Sequence, residues 1–177
     1  MTSIHATASV NVKATLAAWM QTNLALVDRP ANLDAYTVEM NIPQEGIATP
    51  SYSITHIDAG RMSRYQGNAA SATLKGYYAL GILDVSAWVS RVQVNWQAQL
   101  RWMVSAAERV VIGQEHGAIE IQDYITDPSS PTDTEFRITL LDMAIPQLVI
   151  PNETFNPNPN IERVRMVINY QWIIRSA

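Results

Sequence analysis

The sequence predicts an α+β fold: a twisted, mostly antiparallel sheet with two helices packed on one face. Three observations lead there. Two segments repeat apolar residues at steps of three and four, the period of a helix. Six shorter segments are rich in β-branched and aromatic residues and are fenced by turn residues, the pattern of strands. The order α–β–β–β–α–β–β–β mixes consecutive strands with one strand–helix–strand crossover, which favours a layered α+β arrangement.

The first helix is expected from about Ser9 to Val27. Val12, Leu16, Trp19, Met20, Leu24 and Val27 form one apolar stripe, and Ser9 or Asn11 is placed to cap its start. Arg29-Pro30 ends it, because the residue before proline avoids the helical region. Tyr36 to Asn41 and Tyr52 to Asp58 read as strands, separated by a loop holding Pro43, Gly46 and Pro50. Ala59 to Lys75 reads as a long loop with Arg61, Arg64 and Lys75 and no acidic residue. From Gly76 a strand, GYYALGILDVSAWV, carries apolar residues on both faces, so it is expected at the centre of the sheet. Ser90 and Gln93 fit a capping box for a second helix, with Val92, Trp96, Leu100, Met103, Ala107 and Val110 or Val111 as its stripe. Gly113 is placed as the left-handed residue that closes it.

Ala118 to Thr126 alternates as a half-buried strand, DPSSPTD is a loop, and Glu135 to Met143 is a strand with Phe136, Ile138 and Leu140 on one face. Pro146 to Pro151 suits an edge strand, and Asn152 to Asn160 has no regular pattern. The last strand, Ile161 to Arg175, puts Val164, Met166, Ile168, Tyr170 and Trp172 on one face. Arg163, Arg165, Val167, Asn169, Gln171 and Ile173 lie on the other. The Gly76 and Ile161 strands thus carry apolar groups on both faces, and a neighbouring subunit is the simplest cover for the second.

A length of 177 residues suits a single domain over 1–177, with long loops at 59–75 and 145–160. No run of 18 apolar residues is present, so no membrane helix is expected. MTSIHATASVNVK lacks the charged and apolar regions of a secretory signal. The chain has no cysteine, which excludes disulfides, thiol nucleophiles and zinc–thiolate sites and fits a reducing cytoplasm. A net charge of −4 argues against a surface that grips nucleic acid throughout. Charged residues make up 16% of the chain, against about 25% in typical domains. A surface poor in charge and rich in neutral polar and aromatic groups suits burial against partner subunits, so an oligomer is expected.

Chemistry-bearing patterns are sparse. His56 and Asp58 sit two apart on one strand, a pairing open to a metal, but no third ligand follows at a recognisable spacing. There is no G-x-S-x-G elbow and no glycine-rich phosphate loop. Asp84 and Asp142 read as strand-edge groups or acceptors for a following loop; without a cleft signature they do not make a glycosidase pair. No enzyme, cofactor or metal site is expected. The best site candidate is the 59–75 loop, where Arg61, Met62, Arg64, Tyr65 and Lys75 suit contact with an acidic partner or passing DNA. Three basic residues are too few for tight nucleic-acid binding, and a solvated loop is the plain alternative. Phe155 offers an anchor in the 152–160 segment, and Trp172 a contact in the last strand.

The element order, with Gly81-Ile82-Leu83-Asp84-Val85 followed by Trp88 and the closing RVRMVINYQWII, resembles the tail terminator (tail completion) proteins of tailed bacteriophages over nearly the whole chain. The resemblance implies a non-enzymatic virion protein of the tail and neck, made in the host bacterial cytoplasm. It implies a hexameric ring that caps the tail tube protein, stops its polymerisation and meets the neck or connector protein, and the sheath where the tail contracts. DNA would pass through such a ring without specific binding. The 59–75 loop would face tube or lumen, and 145–160 would be an arm to a neighbour or the sheath. The alternatives are another head–tail connector, neck or baseplate component, or a small-ligand-binding α+β domain or enzyme.

Overall fold

The computed structural model describes residues 4–40, 50–58, 62–64, 77–113, 117–144 and 160–174. Two helices, α1 (Ile4–Leu24) and α2 (Trp96–Gly113), accompany seven strands. These are β1 (Thr37–Glu39), β2 (Ser51–Asp58), β3 (Met62–Arg64), β4 (Tyr77–Ser90), β5 (Ala118–Asp123), β6 (Thr132–Ala144) and β7 (Ile161–Ile174). They form one sheet in the order β1-β2-β4-β7-β6-β5, an α+β architecture. Only β1 and β2 run parallel; every other pair is antiparallel. β3 pairs with the first residues of β4, so it continues β2 along the same edge of that strand. The 59–75 stretch expected to be all loop therefore contains a strand, because β4 is long enough to offer ladder positions beyond the end of β2.

Alternation on β4 divides the sheet into two faces. Leu83, Val85 and Ala87 stand opposite Ile168, Met166 and Val164 of β7, and Ile54 and Tyr52 of β2 complete the rows. Ile119, Ile121, Ile138 and Leu140 extend this face across β5 and β6. Against it pack the stripe Val12, Leu16, Met20 and Leu24 of α1 and the stripe Leu100, Met103, Ala107 and Val111 of α2, as the helical spacing predicts. α2 packs over β4, β6 and β7, while α1 touches β5 at one edge and β1 and β2 at the other. One helix can reach both edges only because the sheet curls. Among the described residues no helix is long and apolar enough to cross a membrane.

Polar side chains of the helices are spent on backbone. Thr15 Oγ1 accepts from the N–H of Gln122 at 3.0 Å and Asn11 Oδ1 from that of Tyr124 at 3.0 Å. One turn apart on α1, the two satisfy donors at the β5 edge that would otherwise be open to another strand. On α2, buried Gln99 clamps Asp34: its Oε1 accepts from the backbone N–H at 2.9 Å and its Nε2 donates to the carbonyl at 3.3 Å. Trp102 Nε1 donates to the Asp28 carbonyl at 3.1 Å. The 25–36 connection is thereby fixed along α2 despite having no regular structure. Tyr52 on β2 donates its hydroxyl to the Met103 carbonyl at 2.8 Å, and burial holds its phenol well above the usual tyrosine range.

Three helix-end expectations are corrected. α1 begins at Ile4, so Ser9 and Asn11 lie inside it and do not cap it; Asn11 is drawn to β5 instead. Ser90 remains in β4, paired with Ile161, and α2 begins only at Trp96 after turns at 91–95. The ladder to β7 outcompetes the capping box, and Val92 leaves the helical stripe to stand 76% exposed. Gly113 is the last residue of α2 and does not have the left-handed φ expected of it. Between the residues of the suggested metal pair, β2 carries a bulge that sets His56 opposite Leu83 and Asp58 opposite Ile82. The proposed edge strand 146–151 lies outside the described residues.

Two predictions come from this packing. Gly81 stands opposite Tyr170, whose ring occupies the space an added Cβ would take. Gly81→Ala is expected to destabilise the fold by about 1–3 kcal/mol, as overpacking does, in urea melts, with part recovered by Tyr170→Leu in the same chain. Asp123 accepts from the Thr126 hydroxyl at 2.6 Å and from the N–H groups of Ile125 and Thr126; these bonds hold its carboxyl below the usual range. A depressed carboxyl adds stability that is present above its unfolded value, about pH 4, and is lost as pH falls through the folded one. Asp123→Asn is therefore expected to lower the thermal midpoint at pH 7 and to flatten its decline below about pH 4.

Candidate assembly surfaces

Strand and helix lengths do not match. β4 and β7 have 14 residues each, about 46 Å at the strand rise, whereas the 18 residues of α2 span about 27 Å. α2 follows β4 after a short turn, so it starts near the end of that strand. The other end is where β4 begins, β3 pairs with it and β7 finishes. Register brings three predicted site residues to this end. Met62 pairs with Ala79, Ala79 with Trp172, and Trp172 with Ile138, making one row across four strands. Arg64 pairs with Tyr77 at its rim. Arg61, Tyr65, Lys75 and Phe155 lie outside the described residues.

The face of β4 turned away from the helices carries a polar stretch between Ile82 and Trp88, and there Trp88 is covered from within the chain. Asp84, Ser86 and Trp88 alternate there, all buried. Asp84 is no edge group: it lies mid-sheet, accepting from Ser86 Oγ at 2.5 Å, Arg163 Nη2 at 3.0 Å and Arg165 Nε at 2.5 Å. Arg163 also donates Nε to Ser86 Oγ at 2.9 Å and lies 4.7 Å over the Trp88 ring. Trp88 Nε1 donates to Ser53 Oγ at 2.7 Å. The apolar surface of Trp88 is thus covered by an arginine of the same chain. Asp142 is exposed and accepts from Asn169 Nδ2 at 2.6 Å.

The sequence offered a signal for this cluster: an aspartate within an otherwise apolar central strand, and arginines two apart on the last strand. Their meeting depends on the β4–β7 register, which spacing alone does not supply. Where β4 ends, Arg91 donates Nε to Glu162 Oε2 at 2.7 Å and lies 5.7 Å over Trp96, holding the turn after β4 against the start of β7.

The two sheet edges differ. α1 side chains occupy β5, while β1 is only three residues long and borders an open groove of about 410 Å³ lined by Ala14, Ala17, Ala18, Val38, Met40 and Tyr124. Gln21 and Glu39 give it polar corners.

Removing the Asp84 carboxylate leaves two guanidiniums without their shared acceptor. Breaking a buried pair costs about 3–5 kcal/mol; Arg165 is 37% exposed, so water offsets part of that. Asp84→Ala is expected to destabilise by about 2 kcal/mol in chemical denaturation, and Asp84→Asn by less. No protein-family model matches the chain, and no curated protein matches it.

Proposed function

We propose that this chain is a structural virion protein of a tailed bacteriophage, non-enzymatic, that forms a hexameric ring closing the tail tube and joining it to the neck. The observation that carries this reading is the register at the sheet end where β3 meets β4 and β4 meets β7. It gathers Met62, Arg64 and Trp172 on a multi-strand platform. A sheet end whose register brings apolar, aromatic and basic residue types together suits stacking on another protein along an axis. The low charged fraction of 16% and the element order that resembles tail terminators point the same way. In this reading the platform meets the tube protein, the opposite end meets the neck or connector protein or the sheath, and DNA passes without specific contacts.

The groove beside β1 favours a second reading, a small-ligand-binding domain, since it is concave, apolar and edged by a few polar groups. Mass measurement separates the two. A ring of six 19.7 kDa chains elutes near about 118 kDa and appears annular by electron microscopy. A ligand-binding monomer elutes at 19.7 kDa and gains thermal stability from a small apolar compound. A monomeric mass at every concentration overturns the ring.

A further inference from the structure

Arg163 and Arg165 share one carboxylate. Arg163 gives Nε to Ser86 and Nη2 to Asp84 and lies over the Trp88 ring. Arg165 gives only Nε to Asp84; its Nη1 and Nη2 find no partner among the described residues, and its side chain is 37% exposed. A guanidinium held by one nitrogen, with its planar fork open, is preorganised for a second oxyanion. The cluster of two arginines and one aspartate also has one positive charge in excess.

The opposite charge stands at the other end of the sheet. Between Arg109 and Arg137 the chain carries Glu115, Glu120, Asp123, Asp127, Asp133 and Glu135, with no lysine or arginine. Asp127 and Asp133 flank the exposed turn between β5 and β6. The Ser129 hydroxyl, at 2.7 Å, and the N–H groups of Ser129 and Ser130 hold the Asp127 carboxyl below the usual range, so it stays ionised.

Arg165 pairs with Ser86, towards the end of β4, whereas β6 enters the sheet with Phe136 opposite Ile174. From Arg165 to Ile174 is about 30 Å along β7, and Thr132 lies about 13 Å further along β6. The two charges cannot meet within one chain. They can meet between chains, and a contact joining opposite ends of identical subunits is heterologous, the type that repeats into rings.

We infer that the open guanidinium of Arg165 receives a carboxylate of the Asp127–Asp133 turn from a second copy of this chain. The inference rests on the ring reading for the presence of repeated copies and adds the contact that joins them. A protein carboxylate is favoured over nucleic acid because one open guanidinium neutralises about one phosphate, and tight binding needs several, in a chain of net charge −4.

The test is light scattering of the full chain from about 0.05 to about 0.5 M salt, where screening of such pairs grows. Wild type is expected above 19.7 kDa, with the mass falling as salt rises. Arg165→Glu alone, and Asp127→Lys with Asp133→Lys in another chain, each shift the mass to 19.7 kDa while keeping wild-type circular dichroism. Mixing the two variants restores association, because the introduced glutamate then faces the introduced lysines, and the arginine and aspartates left intact face each other. Misfolded variants do not recover on mixing. Wild-type mass in Arg165→Glu overturns the contact and leaves the ring reading standing. A monomeric wild type at about 100 µM, far above the Kd of a stable assembly, overturns both. Loss of duplex DNA retention in Arg165→Glu at unchanged mass assigns the guanidinium to phosphate and overturns the protein contact.

Discussion

β4 and β7 pair antiparallel from Tyr78 with Ile173 to Ser90 with Ile161 without a bulge, and the rest of the molecule depends on that ladder. It fixes the row that helices cover: Leu83 beside Ile168 and Val85 beside Met166. The same register fixes the opposite face, with Trp88 beside Arg163 and Ser86 beside Arg165. Because strand side chains alternate with a period of two, a slip of one residue would turn the arginines into the core and Met166 outward. Burying an unpaired guanidinium is far costlier than exposing a methionine, so the Asp84 cluster reinforces the register that the apolar residues select. Gly81 and Tyr170 add a third constraint, since the tyrosine ring has space only opposite a residue without a side chain.

Periodic signals in the sequence transferred well to the structure. The stripe from Val12 to Leu24 and the stripe from Leu100 to Val111 are buried as spaced, and the central placement of the Gly76 strand holds. These patterns are local, and packing reads them directly. The helix ends did not transfer, because each was decided by a partner remote in sequence. Ser90 could cap a helix, yet its backbone belongs to a ladder with Ile161. Asn11 could cap α1, yet it answers the N–H of Tyr124, far along the chain. β3 was hidden for the same reason: Met62–Arg64 has no strand pattern of its own and forms because β4 presents unpaired positions. Of the candidate site, Met62, Arg64 and Trp172 were legible as residue types only; that the first and last share one row is a product of register.

Edges show where the molecule permits association. A sheet exposes two, and uncontrolled pairing there leads to aggregation. At β5 the chain answers with Thr15 and Asn11, which give backbone donors a partner without adding a strand. At β1 the edge is kept to three residues. With both edges restricted, the contacts proposed above fall on the ends of the long strands and on the face of β4 and β7 that holds the Asp84 cluster.

Chain order gives this arrangement a kinetic consequence. β7 follows every other element in sequence but sits between β4 and β6 in space. Until it inserts, the β1-β2-β4 and β6-β5 parts of the sheet have no common ladder, Asp84 lacks both arginines, and Tyr170 is absent from its place over Gly81. Such non-local pairing is slow because loop closure precedes any gain from contacts. The platform that includes Trp172 and the open guanidinium of Arg165 are both on β7. A chain whose sheet is incomplete therefore presents neither surface, and the proposed association through them would be confined to subunits that have finished folding.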